Sequence, residues 1–156
     1  MQEHYGFSAF GFSLCFAANS LAIMSAAALA VRFRRQERAT LLGCRGMLLF
    51  SLATAAALAC HCGFWLYEVL VFALLFSMGI TFPATTTLAM DCTREHAGTA
   101  SALLGAVCFA FGGLVSPLVG MGDTLLSTGT VFVVCAVGSW LAFRSALHHR
   151  NRLAVA

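Results

Sequence analysis

Five long apolar stretches, separated by short polar junctions, limit what this chain can fold into more than any other feature of its sequence. A helix needs roughly 20 apolar residues to cross about 30 Å of bilayer hydrocarbon, and the stretches have about that length. With 60% hydrophobic and 10% charged residues, the 156-residue chain has too few polar side chains to cover a soluble domain. The sequence therefore predicts an all-α integral membrane protein with a single transmembrane domain. Its spans are expected near 7–31, 46–67, 69–90, 97–122 and 124–143, followed by a cytoplasmic tail, 144–156.

All nine cationic side chains are arginines, and they occupy alternate junctions between the predicted spans. The opposite junctions carry Glu3, Glu68 and Asp123 and no arginine. Because basic residues collect on the cytoplasmic side, the pattern predicts an N-terminus outside and a C-terminus inside. Arginines dispersed in this way, without interleaved readout side chains, give no support to nucleic-acid binding. The densest group forms a cytoplasmic basic loop of Arg32, Arg34, Arg35 and Arg38.

The sequence predicts no metal site, no cofactor and no enzyme activity. Seven cysteines lie mostly inside apolar stretches, where cysteine behaves as a small hydrophobe. The segment Cys60-His61-Cys62 has metal-ligand chemistry, but its spacing does not match the zinc pairs and no second ligand pair is visible. An intramembrane metalloenzyme built on this segment would require stoichiometric metal in the purified protein. Asp91, Arg94, Glu95 and His96 are more typical of helix caps and local ion pairs than of a catalytic site.

Small residues recur at helical spacing along two of the predicted spans. Lipid gives helices little hydrophobic reason to associate, so helix packing in a bilayer depends on small residues that allow close approach. The first span has such a ridge at intervals of four residues. The fourth span has one at intervals of seven, followed by two steps of four through Ser116 to Gly120. The predicted packing residues are Ala18, Ala22, Ala26 and Ala30 in the first span and Gly98, Gly105, Gly112 and Gly120 in the fourth.

Polar or helix-breaking residues inside a span are expensive and are the candidates for function. Asn19 needs a partner on another helix or in a water-filled cavity, and the two alternatives remain open. Pro83 cannot donate to the carbonyl of Gly79, which predicts a kink and a possible hinge. At least two of the hydroxyls of residues 85–87 are expected to bond back to carbonyls of the preceding turn. The candidates for cavity lining or hinge motion are Asn19, Pro83, Thr86, Ser101 and Ser116.

Three segments resemble the C-terminal half of drug-resistance transporters of the major facilitator superfamily. They are Phe82-Pro83-Ala84-Thr85, the stretch 97–105 (AGTASALLG) and the stretch 112–120 (GGLVSPLVG). The closest resemblance is to the bicyclomycin/chloramphenicol-resistance (Bcr/CflA) group, and 5–19 likewise resembles that group's entry into its eighth helix.

The resemblance implies that the five spans are similar to helices eight to twelve, an incomplete C-terminal six-helix bundle. It also implies a second bundle that holds substrate against this one, with the proton-coupling carboxylates chiefly in that N-terminal half. The basic loop corresponds to a gating segment of related proteins, although the Gly and Asp of the superfamily's loop motif are not recognisable here.

On this hypothesis the chain is the C-terminal fragment or truncated form of a proton-coupled drug or small-molecule efflux transporter, and is not transport-competent alone. The implied partners are the lipid bilayer, a drug-like substrate, protons and a missing N-terminal half, and the implied location is the bacterial inner membrane. The alternative is a non-transporting membrane protein, either a degenerate remnant or a helix-packing partner of another subunit.

Overall fold

The computed structural model describes residues 9–60, 62–91, 94–120 and 124–153, and this part of the chain forms five α-helices. All five are long and apolar enough to cross a membrane, and none of the described residues is in a β-strand. The predicted all-α membrane fold is confirmed. A single 3-10 turn, Arg94–His96, precedes the fourth helix. The helices are α1 (Ala9–Ala30), α2 (Gln36–Ala59), α3 (Phe64–Asp91), α4 (Ala97–Gly120) and α5 (Thr124–Leu153).

The largest difference from the predicted spans lies between the second and third helices. The sequence pattern placed the break beside residue 68, whereas α2 ends at Ala59 and α3 begins at Phe64. The amide of Cys62 donates to the carbonyl of Ala57 at 3.0 Å, which closes the end of α2. The charge pattern did not reveal this break because 60–63 contains no Asp, Glu, Lys or Arg, and the charge at Glu68 suggested a later junction. As a result Glu68 lies inside α3 and not between two helices.

The other differences from the predicted spans are at the start of α2 and the end of α5. Helix α2 begins at Gln36, ten residues before the predicted span, and α5 continues ten residues beyond 143. Polar residues extend both helices past their apolar segments, since a helix does not have to end where the hydrocarbon ends. Near the junction of the two segments in α5, the guanidinium of Arg144 lies 4.7 Å from the ring centre of Trp140. Where each helix enters the bilayer stays a prediction.

Helix α3 lies at the centre of the bundle. It packs along both α1 and α2, and α5 packs on the other side of α2. Helix α4 packs against α3 and α5 over only a small part of its surface. Its described side chains are mostly exposed. The buried cluster near the loop between α1 and α2 joins α1, α2 and α3, and Phe33 and Phe76 cover it. Its members are Ala26, Ala30, Ala39, Ile80 and Ala84.

Glycines allow the three main helix contacts to be close. A Cβ atom added to Gly79 would lie 2.7 Å from the carbonyl oxygen of Ile23 and 2.8 Å from the Cβ of Ala26, so α1 crosses α3 at this glycine. Gly43 and Gly46 bring α2 against Ser77 and Thr81 of α3 in the same way. At the third contact, a Cβ atom added to Gly129 of α5 would lie 3.3 Å from the Cα of Ala55 on α2.

The two predicted packing ridges differ in their surroundings. On α1, Ala22, Ala26 and Ala30 are buried, and Ala18 is exposed. On α4, an added Cβ at Gly98, Gly105 or Gly112 would meet nothing within 4 Å. Gly120 is the last residue of α4, and its surroundings lie outside the described part of the chain. The glycine ridge of α4 therefore faces open space in this bundle.

Candidate functional site

The candidate site is a contact between two polar side chains on different membrane helices. The Nδ2 amide of Asn19 on α1 donates a hydrogen bond to Oε1 of Glu68 on α3 at 2.8 Å. Both side chains are half-buried. At about 1.5 Å of rise per residue, Asn19 lies roughly 15 Å along α1 from Ala9, which places it near the middle of that helix. Glu68 lies about 6 Å along α3 from Phe64, one turn inside the end that is predicted to face outside.

Asn19 has one unused acceptor in this contact. Its Oδ1 atom is buried and has no hydrogen-bond partner among the described residues. A buried carbonyl oxygen without a donor destabilises a fold by about 1–3 kcal/mol, so such atoms are uncommon and usually receive a water molecule or a ligand donor. Of the two alternatives that the sequence left open for Asn19, the structure contains a partner on another helix, and it also leaves an acceptor for a further donor.

Two aromatic residues, Phe64 and Trp65, lie in the first turn of α3, shortly before Glu68 in the sequence. Trp65 precedes Glu68 by three residues, a spacing that places two side chains side by side on one helix face. The rings of Phe64 and Trp65 meet edge to face, with centres 5.9 Å apart and an angle of 72° between their planes. Trp65 keeps 74% of its surface exposed. The first turn of α3 therefore presents an exposed indole ring three residues before Glu68.

Sequence reasoning missed Glu68 because it placed this residue in a loop. A signal was available in Gly63, which favours a turn and comes directly before an unbroken apolar run from Phe64 onward. A break at Gly63 makes Glu68 the fifth residue of the next helix. The pairing with Asn19 could not be foreseen in the same way, because it depends on the relative rotation of α1 and α3.

The other predicted site residues are not gathered around Asn19. Pro83 is half-buried in α3, about 22 Å along the helix from Glu68 at 1.5 Å per residue. The hydroxyl of Thr86 donates to the carbonyl of Phe82 at 2.8 Å, and that of Ser101 donates to the carbonyl of Gly98 at 2.9 Å. Ser116 is exposed on α4.

The three consecutive threonines of α3 all turn back to their own helix. Thr85 donates to the carbonyl of Thr81 at 2.9 Å, Thr86 to that of Phe82, and Thr87 to that of Pro83 at 2.8 Å. The prediction that at least two of these hydroxyls bond within the helix is confirmed. Their hydroxyl protons are therefore already engaged, which leaves oxygen lone pairs as the groups that a ligand would meet.

The basic loop lies between α1 and α2. Arg32, Arg34, Arg35 and Arg38 are exposed, and Phe33 turns inward onto the buried cluster. This anchoring fixes the loop backbone while the arginine side chains stay at the surface.

The Cys60-His61-Cys62 segment lies only partly in the described residues. No group of three potential ligands from His, Cys, Asp and Glu is close enough to hold a metal ion in that part of the chain, and His61 lies outside it. Cys60 is exposed at the end of α2, and Cys62 is half-buried.

Comparison with known proteins identifies the family. The sequence profile of the Major Facilitator Superfamily matches residues 1–117, three quarters of the chain. The chain belongs to this superfamily. It is also 34% identical over 146 residues to the uncharacterized MFS-type transporter YdgK of Bacillus subtilis (strain 168). That alignment covers 91% of this chain and 36% of the relative, so the chain spans about a third of the length of the superfamily protein it matches. No solved structure matches.

Membership of the superfamily, together with five apolar helices, makes the chain a multi-pass integral membrane protein of a transporter family.

Proposed function

We propose that this chain supplies the C-terminal helices of a proton-coupled efflux transporter for drug-like small molecules, and that it transports only together with an N-terminal half. The observation that carries the proposal is the superfamily match along residues 1–117. The relative YdgK, whose name describes an MFS-type transporter, supports it. The resemblance of 82–85, 97–105 and 112–120 to the Bcr/CflA group favours efflux of drugs as the finer activity.

The proposed setting is the bacterial inner membrane, with the N-terminus outside and the C-terminal end of α5 in the cytoplasm. The arginine pattern supports this orientation, since Arg32 to Arg38 and Arg144 lie at one end of the bundle. In this orientation the contact between Asn19 and Glu68 lies in the outer half of the bundle, and Pro83 lies near the cytoplasmic side. A substrate passing outward would meet the Pro83 region first and the carboxylate last.

A second candidate function is that of a helix-packing subunit without transport activity. The open glycine ridge of α4 favours it, because Gly98, Gly105 and Gly112 would accept a neighbouring helix at short distance. Co-purification of a discrete membrane protein, lost when Gly105 is changed to Leu, would support this candidate. An N-terminal transporter half as the co-purified protein would instead support the first.

The first experiment is to measure the mass of the native protein in its own cell membranes with an antibody against residues 145–156. We expect a band more than twice the 16.5 kDa of this chain, because the proposed transporter needs both halves. A band near 16.5 kDa in cells that show no efflux would contradict the proposal.

The second experiment replaces Asn19 with Leu in the form that carries out efflux. We expect altered drug resistance at an unchanged protein level. The substitution removes the amide from the polar contact, and the leucine that replaces it is apolar but of similar size. Drug resistance is measured as the lowest inhibitory concentration, and the protein level with the same antibody. Loss of the protein itself would show that Asn19 serves packing.

A further inference from the structure

Resting on the proposed transport function, we propose that Trp65, Glu68 and Asn19 form a binding site for an organic cation, an amphipathic molecule that carries a protonated amine. The substrate class is then a cationic amphiphile, with its ammonium group at Glu68 and its apolar body toward the aromatic side chains. Three independent features of the described residues support this assignment.

The first feature is a carboxylate that has no cationic partner among the described residues. Glu68 accepts a hydrogen bond from Asn19, and its second carboxylate oxygen accepts none from the described residues. Among the described residues, the nearest arginine along the bundle is Arg45. It adjoins Gly46 in α2, and Gly46 lies against Ser77 of α3. That level is about 13 Å along α3 from Glu68 at 1.5 Å per residue, and Arg32 to Arg38 and Arg144 lie still farther toward the cytoplasmic end. A carboxylate in a membrane helix without a cationic partner favours a cation from outside the chain.

The second feature is the open indole ring. Trp65 lies one turn before Glu68 on the same helix face and is 74% exposed. Phe64 supports one edge of the indole. An aromatic face next to a carboxylate is the combination that recognises organic ammonium groups, since the ring quadrupole and the carboxylate attract the same charge. An inorganic cation would gain less from the ring and would prefer more oxygen ligands than this site offers.

The third feature is the unused Oδ1 atom of Asn19. It is buried beside the carboxylate and lacks a donor among the described residues. An ammonium group carries several N–H donors, so one can bond to Glu68 while another bonds to Asn19 Oδ1 after a small rotation of the amide. Asn19 therefore acts in part as a positioning residue, because its Nδ2 holds the carboxylate in place.

A binding experiment on the full chain tests the proposal. The chain is placed in nanodiscs of neutral phosphatidylcholine, and Trp140 is changed to Phe so that Trp65 is the one remaining tryptophan. Binding is followed as the change in Trp65 fluorescence during titration with 4-phenylbutylammonium. The uncharged alcohol 4-phenylbutanol has the same apolar body and serves as the matched probe.

We expect the ammonium to bind at least tenfold more tightly than the alcohol. Glu68→Gln should abolish this preference, since the amide of Gln keeps the hydrogen bond from Asn19 but removes the charge. Asn19→Ala should reduce it about threefold. Glu95→Gln is the matched control, because it removes one carboxylate from the exposed 3-10 turn at the other end of the bundle. It should leave the preference unchanged.

Equal affinity of the unsubstituted Glu68 chain for the two probes would overturn the cation site and leave the transport proposal standing. A preference for the ammonium over the alcohol that persists in Glu68→Gln would also overturn the cation site. If the site binds the cation but the intact protein exports nothing, the transport proposal fails instead.

A second measurement uses the unsubstituted chain, so that its result does not depend on whether a variant folds. Dicyclohexylcarbodiimide, an apolar reagent for membrane carboxyl groups, is allowed to modify the unaltered chain, and labelling of Glu68 is measured by peptide mass spectrometry. We expect 4-phenylbutylammonium to slow the labelling at least fivefold and 4-phenylbutanol to leave it unchanged. Equal rates of Glu68 labelling with 4-phenylbutylammonium and with 4-phenylbutanol would contradict the proposal.

Discussion

At the scale of single residues, the closest contacts between helices depend on glycines, which have no Cβ atom to keep a neighbouring backbone away. The crossing of α1 and α3 depends on the absent Cβ of Gly79, which lets the backbone of Ile23 approach. Ser77 and Thr81 face α2, and their hydroxyls donate to carbonyls of their own helix at 2.9 Å. The seam between α2 and α3 is therefore held by close packing of small groups.

Gly79→Ala is predicted to destabilise the bundle by about 1–3 kcal/mol, because the new methyl group would overlap the backbone of α1. The free energy of unfolding is measured by circular dichroism in detergent with increasing sodium dodecyl sulfate. Gly105→Ala is the control, since a Cβ at that position meets nothing within 4 Å. Its stability should be unchanged or slightly higher, because alanine favours helix more than glycine does. Equal losses for both variants would contradict the close crossing at Gly79.

At the scale of one element, α3 is the helix that packs against both α1 and α2 and that contains a proline. It runs unbroken from Phe64 to Asp91 with Pro83 inside it, and it carries Glu68 at one end. Pro83 cannot donate to the Gly79 carbonyl, so the helix lacks one backbone bond at the level where α1 crosses it. A helix with one bond missing bends more easily there, which is the property a hinge needs.

Pro83→Ala is predicted to restore that backbone bond, to raise the thermal stability of the isolated bundle and to slow efflux by the intact protein. Thermal stability is measured as the temperature of half-unfolding in detergent, and efflux as the rate of dye loss from energised cells. Thr87→Ala, also on α3 but exposed and bonded within the helix, is the control. Unchanged efflux in Pro83→Ala would remove the hinge.

A second element-scale contact is open to a direct chemical test. The Sγ of Cys44 on α2 lies 3.8 Å from the Oγ of Ser139 on α5. Ser139→Cys is predicted to form a disulfide with Cys44 on mild oxidation, detected as a linked pair of peptides by mass spectrometry. The same substitution combined with Cys44→Ala should give no such peptide. Absence of the link in the single variant would show that α5 does not pack on α2 at this level.

At the scale of the whole molecule, the arginines and the helix bounds together predict the orientation. Arg32 to Arg38 and Arg144 mark one end of the bundle, and the turn around Gly63 marks the other. A fluorescent protein fused after residue 156 is predicted to be bright, and alkaline phosphatase fused there inactive, in a bacterial host. Fusions at Gly63 should show the opposite result, because that turn is predicted to lie outside. Fluorescence at Gly63 with phosphatase activity at the C-terminus would reverse the orientation.

Much of the fold could be predicted from the chain because bilayer thickness sets helix length. The five helices follow from apolar length, and the hydroxyl bonds of Thr85 to Thr87 follow from local geometry. The turn before Phe64 was missed because it carries no Asp, Glu, Lys or Arg, whereas Glu68 four residues into α3 does carry a charge. The contact of Asn19 with Glu68 and the close approaches at Gly43, Gly79 and Gly129 depend on which helix faces rotate together, and spacing within one helix carries no information about that.

The hydrogen bond from Asn19 to Glu68 has a consequence for biogenesis. Serine and threonine hydroxyls such as those of Ser25, Thr54 and Thr85 are satisfied inside their own helices, so each of these helices can enter the membrane with those groups already bonded. Asn19 must wait for Glu68, which is made 49 residues later and reaches the bilayer with α3. Until then α1 carries an unsatisfied amide in the lipid. The side-chain amide of Asn19 can therefore gain this partner only after α2 and α3 have been synthesised, so the α1–α3 pairing is a late step in assembly.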